Sequence, residues 1–188
     1  MIDKTLGFLL GELNGFLSTS FPSSEPHAVL SGLANPDGSV PLGLENKIVV
    51  SLANIERETA AVSSGSQIRS DNGDKLRVGL PLNLNIFILL SSNFGGNYVE
   101  ALRFLSSSIG FLQSKPVFTP QNSPGFPRGL ERLTIEMVNL NMQDLQNLWA
   151  CTGGKYLPSA FYKARMLTIQ DGWVTGRIPV ISGAETKV

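Results

Sequence analysis

The chain has 188 residues, enough for one domain with a sizeable core, and 42% of them are hydrophobic. Fifteen basic residues balance fifteen acidic ones, so the chain lacks the basic surplus typical of proteins that bind nucleic acid or anionic membranes. A single cysteine, Cys151, excludes an internal disulfide.

The first predicted element is an amphipathic helix at the amino terminus. Its apolar stripe consists of Ile2, Leu6, Leu9, Leu10, Leu13, Phe16 and Leu17. Asp3, Lys4 and Glu12 interrupt this run, which is shorter than the ~20 apolar residues of a membrane span, and no small-residue cleavage site follows. We therefore expect the helix to pack on its own domain and the protein to be made and kept as a soluble cytoplasmic one.

Three glycines, Gly7, Gly11 and Gly15, recur at every fourth position of this helix, opposite the leucine stripe. Glycine inside a helix costs roughly 1 kcal/mol relative to alanine, so the three together cost about 3 kcal/mol. Their presence indicates that another backbone approaches closely on that side, and we place a candidate subunit interface there. The alternative is that they are tolerated surface glycines in a helix held by tertiary packing.

Two long polar segments, 18–44 and 60–74, flank the predicted strand 46–58. Loops of this length in compact domains are usually functional or disordered. The only histidine, His27, has no cluster of Cys, His or carboxylate residues near it in sequence, so we predict neither a metal ligand nor a general base there. Residues 71–74 lack the glutamate and the alternating ligands of a calcium loop, and the pair Asn72-Gly73 indicates a hairpin turn instead.

The segment 82–90 is the most β-prone part of the chain, and its second half is apolar on both faces, as in a central strand. The pair Gly95-Gly96 follows, but the lysine-serine/threonine ending of a P-loop is absent, so we interpret the pair as a turn leading to a cap at Asn97. The predicted apolar face of the next helix consists of Tyr98, Leu102, Leu105, Ile109 and Leu112, with Phe104 and Phe111 to one side of it.

The loop 119–129 has three prolines around Phe126. Prolines reduce the conformational freedom that an exposed aromatic side chain loses on docking. We therefore predict that Phe126 and Arg128 form a contact site for a partner. The alternative is a loop that folds back on its own domain.

The segment 128–170 is predicted to form a strand, a capped helix, a glycine turn and a second strand. Alternation predicts that Leu133, Ile135 and Met137 lie on one face of the first strand. Asn141 and Asp144 resemble a capping box, and Gly153-Gly154 would end the helix. The apolar stripe of this helix is Leu145, Leu148 and Trp149. One face of the second strand is predicted to carry Tyr162, Ala164, Met166 and Thr168, and the other face Lys163, Arg165, Leu167 and Ile169.

The elements together predict a single α+β domain over residues 1–173, with a mixed, mostly antiparallel sheet and helices packed on it. Residues 174–188 are predicted to be an extended C-terminal arm or a disordered tail. Ile178 in this tail is a further candidate interface residue, because an apolar arm adds readily to the edge of a neighbouring sheet.

Three passages, taken in order, carry a resemblance to a known family. They are NKIVVSLANIERE at 46–58, LNLNIFILL with the following helix and hairpin at 82–122, and the order strand, NLN-x-x-DL-x-x-LW, GGKYLPS, strand within 129–170. With the amphipathic start, they resemble the N-terminal domain family of the tube-capping proteins of extracellular contractile injection systems. These are phage-tail-like particles of the antifeeding prophage and Photorhabdus virulence cassette type.

The resemblance implies a phage tail terminator-like fold and a structural role. A hexameric ring of this protein would bind the inner tube protein, end tube polymerisation and anchor the last ring of the sheath protein. The expected partners are therefore copies of the chain itself, the tube protein and the sheath protein, with no nucleic acid and no membrane. No catalytic residue, cofactor or metal is expected.

Two alternatives remain open on the sequence. A baseplate or sheath-adaptor protein of the same particles would share the structural role at the other end of the tube. A small-molecule-binding α+β protein or enzyme is the other, but the sequence has one His, one Cys and no paired-carboxylate or nucleophile motif to support it.

Overall fold

The computed structural model describes residues 1–58, 67–69, 75–78, 83–168 and 174–178. Within these ranges the helices are α1 (Ile2–Ser20), α2 (Tyr98–Ser114) and α3 (Met142–Thr152). The strands are β1 (Ala28–Leu30), β2 (Lys47–Arg57), β3 (Gln67–Arg69), β4 (Lys75–Val78), β5 (Leu84–Asn93), β6 (Val117–Phe118), β7 (Leu130–Met137), β8 (Ser159–Thr168) and β9 (Val174–Ile178).

Six strands form one sheet in the order β1-β2-β5-β8-β7-β6. The short strand β1 is parallel to β2, and every other neighbouring pair in this sheet is antiparallel. The central strand β5 pairs with β2 over its whole length and with β8 on its other side. The prediction of an α+β fold with a mixed, mostly antiparallel sheet is confirmed.

Helices α1 and α2 cover one face of this sheet and form the main core with it. The predicted stripe of α1 is confirmed: Leu6, Leu9, Leu13 and Leu17 are buried, and Ile2, Leu10 and Phe16 pack partly buried against them. The sheet side of the core consists of Ile48, Val50, Ile86, Ile88, Leu90, Leu133, Ile135, Tyr162, Ala164 and Met166. These positions alternate along their strands, as the period of a half-covered sheet requires.

The buried face of α2 agrees with the prediction only in part, since Leu105 and Leu112 are buried and Ile109 is partly buried as predicted. Tyr98 and Leu102 are exposed, whereas the buried side chains are Ala101, Phe104, Leu105, Ser108, Phe111 and Leu112. The physical reason is ring stacking across the helices. Phe104 stacks on Phe21 with ring centroids 4.1 Å apart, and Phe111 stacks on Phe16 at 5.0 Å. These contacts rotate the helix so that its phenylalanines, and not its tyrosine, face the core.

A second, smaller core lies on the opposite face of the sheet, where α3 and the connection between β1 and β2 pack. It contains the buried side chains Leu33, Leu44, Val49, Leu89 and Trp149. The segment 18–44, predicted as a loop, therefore contains the strand β1 and two buried residues, Leu33 and Leu44.

The caps predicted for α3 and α2 are confirmed. The Asn141 side chain accepts a hydrogen bond from the backbone N–H of Asp144 at 2.8 Å and donates to its carboxylate at 2.7 Å. Gly153 ends α3 in a left-handed conformation with a φ of 67°. Asn97 likewise accepts from the N–H of Glu100 at 3.1 Å. Each cap satisfies backbone groups that a helix end leaves without a partner.

Some of the predicted core positions are only half-buried or are exposed. Met137 is 47% exposed because it lies at the end of β7, whereas Leu133 and Ile135 are buried as predicted. Leu145 and Leu148 are half-buried, and Trp149 is the buried anchor of α3. The alternation predicted for β8 is confirmed at its described side chains, since Tyr162, Ala164 and Met166 are buried and Lys163 and Arg165 are half-buried.

A second, three-stranded sheet has the order β3-β4-β9, with both pairs antiparallel. Residues 174–178, predicted to be an arm or tail, form β9 and pair with β4 of the same chain. Residues 179–188 and the predicted turn at Asn72-Gly73 lie outside the described residues.

Tyr162 provides a test of the main core. Its side chain is 4% exposed, and its hydroxyl has no hydrogen-bond partner among the described residues. A buried hydroxyl without a partner is destabilising, so we expect Tyr162→Phe to leave the free energy of unfolding unchanged or to raise it by about 1–2 kcal/mol near neutral pH. Urea unfolding followed by circular dichroism measures this change.

The same residue makes stability depend on alkaline pH. Burial raises the pKa of Tyr162 from 10.0 to about 12. Because the folded pKa lies above the unfolded one, ionisation of Tyr162 does not lower the free energy of unfolding below about pH 10. Above that pH it lowers the free energy of unfolding progressively, as the pH rises towards 12. The wild type should therefore lose stability relative to Tyr162→Phe in this window. Parallel stability curves for the two proteins would contradict the buried position of the hydroxyl.

Candidate interaction surfaces

The described residues contain no group of three or more His, Cys, Asp and Glu residues that could hold a metal ion. His27 is buried beside the rings of Phe21 and Phe104, and its Nε2 lies 2.5 Å from the carbonyl oxygen of Phe21. Cys151 is free and exposed near the end of α3. The part of the chain that the structure describes also contains no helix long and apolar enough to cross a membrane.

The glycine row of α1 faces outward. Gly7, Gly11 and Gly15 are all exposed, and a Cβ atom added to any of them would meet nothing within 4 Å. No other described part of the chain packs against the helix backbone at these glycines. The row is therefore an open strip of helix backbone about two turns long.

Two polar contacts fix the orientation of α1 and hence of the glycine row. The Asn14 side chain donates to the carbonyl oxygen of Ala28 at 3.0 Å and accepts from its N–H at 2.8 Å, so it bonds α1 to the outer strand β1. On the other flank, Lys115 forms an ion pair with Glu12 at 2.7 Å. The leucine stripe packs on the sheet between these contacts, so the glycines point away from it.

The Phe126–Arg128 loop lies beside the first half of α1. Phe126 is half-buried and meets Phe8 edge to face, with ring centroids 5.3 Å apart. The Phe126 ring therefore packs on its own domain, as in the alternative of a loop that folds back. Arg128 is exposed. Since Phe8 is next to Gly7 in the helix, the structure brings the loop and the glycine row to the same flank of the protomer.

Ile178 is the last residue of β9, opposite Lys75 in the three-stranded sheet. It therefore belongs to a different sheet from the strands that α1 and α2 cover. The third candidate surface is thus separate in the topology from the first two.

Sequence reasoning missed three exposed apolar surfaces. At the start of α2, Tyr98 and Val99 are 65% and 69% exposed. On the outer side of α3, an open groove of about 390 Å³ is lined by Met142, Gln143, Leu145, Gln146, Trp149 and Tyr156. In the connection before β2, Leu42 is 95% exposed between Pro41 and Gly43. In the sequence, only the neighbouring Pro41 and Gly43 indicate that Leu42 is exposed, because proline and glycine disfavour a helix or strand at this position.

The fold and sequence are similar to those of known proteins. A family profile described as the Pvc16 N-terminal domain matches residues 9–183. A cryo-EM structure described as the PVC sheath/tube terminator of an extracellular contractile injection system, in the extended state, matches with a TM-score of 0.50 and 16% identity. A second, described as the tube terminating cap of the anti-feeding prophage, matches with a TM-score of 0.58 and 15% identity. No curated protein matched the sequence.

The two structural matches differ from this chain in length. The first covers 95% of this chain and 64% of its own, and the second covers 99% of this chain and 60% of its own. The chain therefore spans less than two thirds of either protein. Nearly all of its own fold is included in both matches.

Proposed function

Because the chain belongs to the Pvc16 N-terminal domain family, we propose that it is a structural cap, or terminator, of a phage-tail-like contractile injection system. It would end polymerisation of the inner tube and anchor the last ring of the sheath. The observation that carries this proposal is the match of almost the whole chain to two proteins described as a tube terminator and a tube terminating cap. A match at 15–16% identity shows the fold, and tube-end microscopy tests the function.

The proposed mechanism is mechanical. A cap must present a surface that fits the last tube ring and leave no surface to which another ring can add. A cyclic hexamer that matches a six-fold tube would do this, with head-to-tail contacts between two different patches of each protomer. The glycine row of α1, Arg128 in the loop beside it, and Ile178 on β9 are the proposed contact residues.

The exposed positions of the glycine row and of Arg128 support contact with other proteins more than chemistry. Exposed Tyr98, Val99 and Leu42 add apolar surface that the described part of the chain leaves uncovered. Exposed apolar and aromatic side chains of this kind are typical of contact surfaces between proteins. We therefore propose that the partners are further copies of the chain, the tube protein and the sheath protein, and that the chain is not an enzyme.

Electron microscopy of tubes assembled with and without the protein tests this function. Tubes grown from purified tube protein should stop at shorter, more uniform lengths when the cap protein is added, with labelled protein at one end only. Label at the baseplate end of isolated particles would favour a baseplate or sheath adaptor. Unchanged tube lengths with no label at either end would contradict a role in tube termination.

The proposed role also predicts the absence of nucleic-acid binding. The chain has no net charge and contains no recognised nucleic-acid-binding motif. We expect no appreciable affinity for duplex DNA at physiological salt, because non-specific binding depends on neutralising phosphates with clustered Lys and Arg. Fluorescence anisotropy with a labelled duplex measures this affinity. Sub-micromolar binding that falls steeply with added salt would point instead to a genome-packaging tail.

A further inference from the structure

The groove on the outer side of α3 leaves apolar surface open to solvent. Its volume is about 390 Å³, and its lining combines the apolar and aromatic side chains of Met142, Leu145, Trp149 and Tyr156 with the amides of two glutamines. Met142 is 80% exposed and Tyr156 is 62% exposed. A concave apolar surface with a few polar groups is typical of a binding site. This surface is here named the α3 groove.

Trp149 adds a hydrogen-bond donor to the α3 groove. The side chain is 6% exposed, and its indole N–H is buried without a hydrogen-bond partner among the described residues. The ring of Tyr156 lies beside it, with centroids 5.3 Å apart. A buried N–H without an acceptor is unfavourable, so an occupant that brings a carbonyl oxygen to it gains a hydrogen bond that the free protein lacks. Aromatic grooves of this kind suit extended, proline-containing segments.

Such a segment occurs in the connection between β1 and β2. Residues 40–42 are Val-Pro-Leu, here named the apolar tip, and proline favours an extended conformation of the residue before it. Leu42 is 95% exposed and Val40 is 64% exposed. The carbonyl oxygens of the apolar tip accept no backbone hydrogen bond from the described part of the chain. Because Leu42 is almost fully exposed, the apolar tip does not occupy the α3 groove of its own chain.

The loop that carries the apolar tip is held in one conformation. Leu33 and Leu44 anchor it in the smaller core. Ahead of the tip, the backbone of Asn35 donates to the Ser39 carbonyl oxygen at 2.8 Å. The Asp37 carboxylate accepts from the Ser39 hydroxyl at 2.6 Å and from its N–H at 2.9 Å. A loop ordered before binding loses little conformational entropy when a partner covers it.

The charges beside the apolar tip and the α3 groove are complementary. Asp37 and Glu45 flank the tip, and neither forms an ion pair with another described residue. Lys155 is exposed next to Tyr156 of the groove and likewise has no ion-pair partner within the described ranges. The one carboxylate of α3, Asp144, does not line the groove. A tip with acidic flanks therefore meets a basic residue at this groove.

The apolar tip and the α3 groove are attached to the same small core but are different patches. The two buried anchors of the loop pack in this core with Trp149. A Cβ atom on Gly153 would lie 3.4 Å from the Cβ of Ala34, so the base of the loop adjoins the C-terminal end of α3. The groove extends to Met142 at the other end of this helix, whose 11 residues rise about 16 Å.

We propose that the apolar tip of one protomer docks in the α3 groove of a second copy of this chain. Leu42 and Val40 contact the apolar lining, and a carbonyl oxygen of the tip accepts from the indole N–H of Trp149. Glu45 pairs with Lys155 at the edge of the contact. The proposal rests on the cap function, because a cyclic ring requires two different patches of each protomer to meet.

Cysteine cross-linking between two differently marked chains tests this contact. In a Cys151→Ser background, a Leu42→Cys chain is mixed with a chain that carries Gln146→Cys, an exposed residue of the groove. In the matched control, the second chain keeps Cys151 as its cysteine, which is exposed on α3 but does not line the groove. We expect the mixed disulfide to form on the order of tenfold faster in the test pair than in the control pair.

A charge exchange tests the polar edge of the same contact. Adding Lys155→Glu to the Gln146→Cys chain should slow the cross-linking, because two carboxylates then face each other. Adding Glu45→Lys to the Leu42→Cys chain as well should restore the rate. Lys155 and Glu45 are both exposed, so neither change removes a buried contact of the protomer.

Equal rates in the test and control pairs, or no restoration by the second charge change, would overturn the contact. Tube-end microscopy of the wild type separates this result from the cap function. Capped tubes without preferred cross-linking leave the cap function intact and reject the contact. Preferred cross-linking with uncapped tubes supports the contact and rejects the cap. Loss of tube-end binding in Leu42→Ser, without preferred cross-linking, assigns the apolar tip to the tube protein and also overturns the proposal.

Discussion

Leu133→Ala is expected to lower the free energy of unfolding by ~2–5 kcal/mol, as truncations of fully buried leucines do. Leu133 is 0% exposed and lies in the middle of β7, between Phe118 of β6 and Met166 of β8. Removing its side chain leaves a cavity at the centre of the main core, because the sheet backbone around it cannot close the space. Urea unfolding monitored by circular dichroism gives the change.

Met137→Ala is the matched control for this prediction. Met137 lies in the same strand but is 47% exposed, so its truncation should cost no more than about 0.5–1 kcal/mol. The contrast between the two variants tests the alternation of β7 independently of strand propensity. A loss below ~0.5 kcal/mol for Leu133→Ala would mean that the assigned face of β7 is wrong.

Gly11→Leu is expected to prevent or strongly weaken the proposed hexamer while leaving the protomer folded. A Cβ atom at Gly11 would meet nothing within 4 Å, so the leucine fits the isolated chain. Replacing a glycine inside a helix also removes roughly 1 kcal/mol of unfavourable helix propensity, so the protomer should be at least as stable as the wild type. In a ring, the added side chain would hold the neighbouring backbone away from α1. Light scattering should then give six times 20.3 kDa for the wild type and a smaller mass for the variant.

Gly110→Leu provides the control, since Gly110 is an exposed glycine of α2 where an added Cβ also meets nothing within 4 Å. It introduces the same side chain on a different helix, so it should leave the ring mass unchanged. A full-sized ring in Gly11→Leu would remove the glycine row from the interface. If the wild type and the variant are both monomers, and neither binds tube ends in electron micrographs, the capping proposal loses its physical basis.

Features set by residues close together in sequence were predicted correctly. The cap at Asn141, the left-handed end at Gly153 and the cap at Asn97 each depend on bonds or conformations within a few residues. The apolar stripe of α1 was also predicted, because its large apolar residues fall on one side at the helical period. In such cases only one local conformation gives the backbone groups their hydrogen-bond partners and also buries the apolar side chains.

The buried face of α2 was predicted only in part, because this helix has large apolar residues on more than one side. Periodicity alone assigned Tyr98 and Leu102 to the core, whereas both are exposed. Stacking of Phe104 on Phe21 and of Phe111 on Phe16 selected the other face. These partners belong to α1 or to the residue that follows it, so no local pattern in α2 could reveal them.

Strand β1 and the buried anchors Leu33 and Leu44 were missed for a related reason. A three-residue strand gives no measurable alternation, and β1 exists because it pairs with β2, 20 residues further along the chain. The same holds for β9, whose partner β4 is about 100 residues away. The location of each segment depends on a surface made elsewhere in the sequence.

The sequence by itself therefore determined the fold class, the helix ends, the core stripe of α1 and the family to which its ordered segments are similar. Only the tertiary structure decided which apolar residues remain exposed, such as Leu42 and Tyr98, and that the glycine row is open while Phe126 is half-buried. The reason is that hydrogen-bonded caps and helical periodicity act over a few residues. Exposure depends on what packs against a side chain, and that neighbour generally comes from a distant part of the chain.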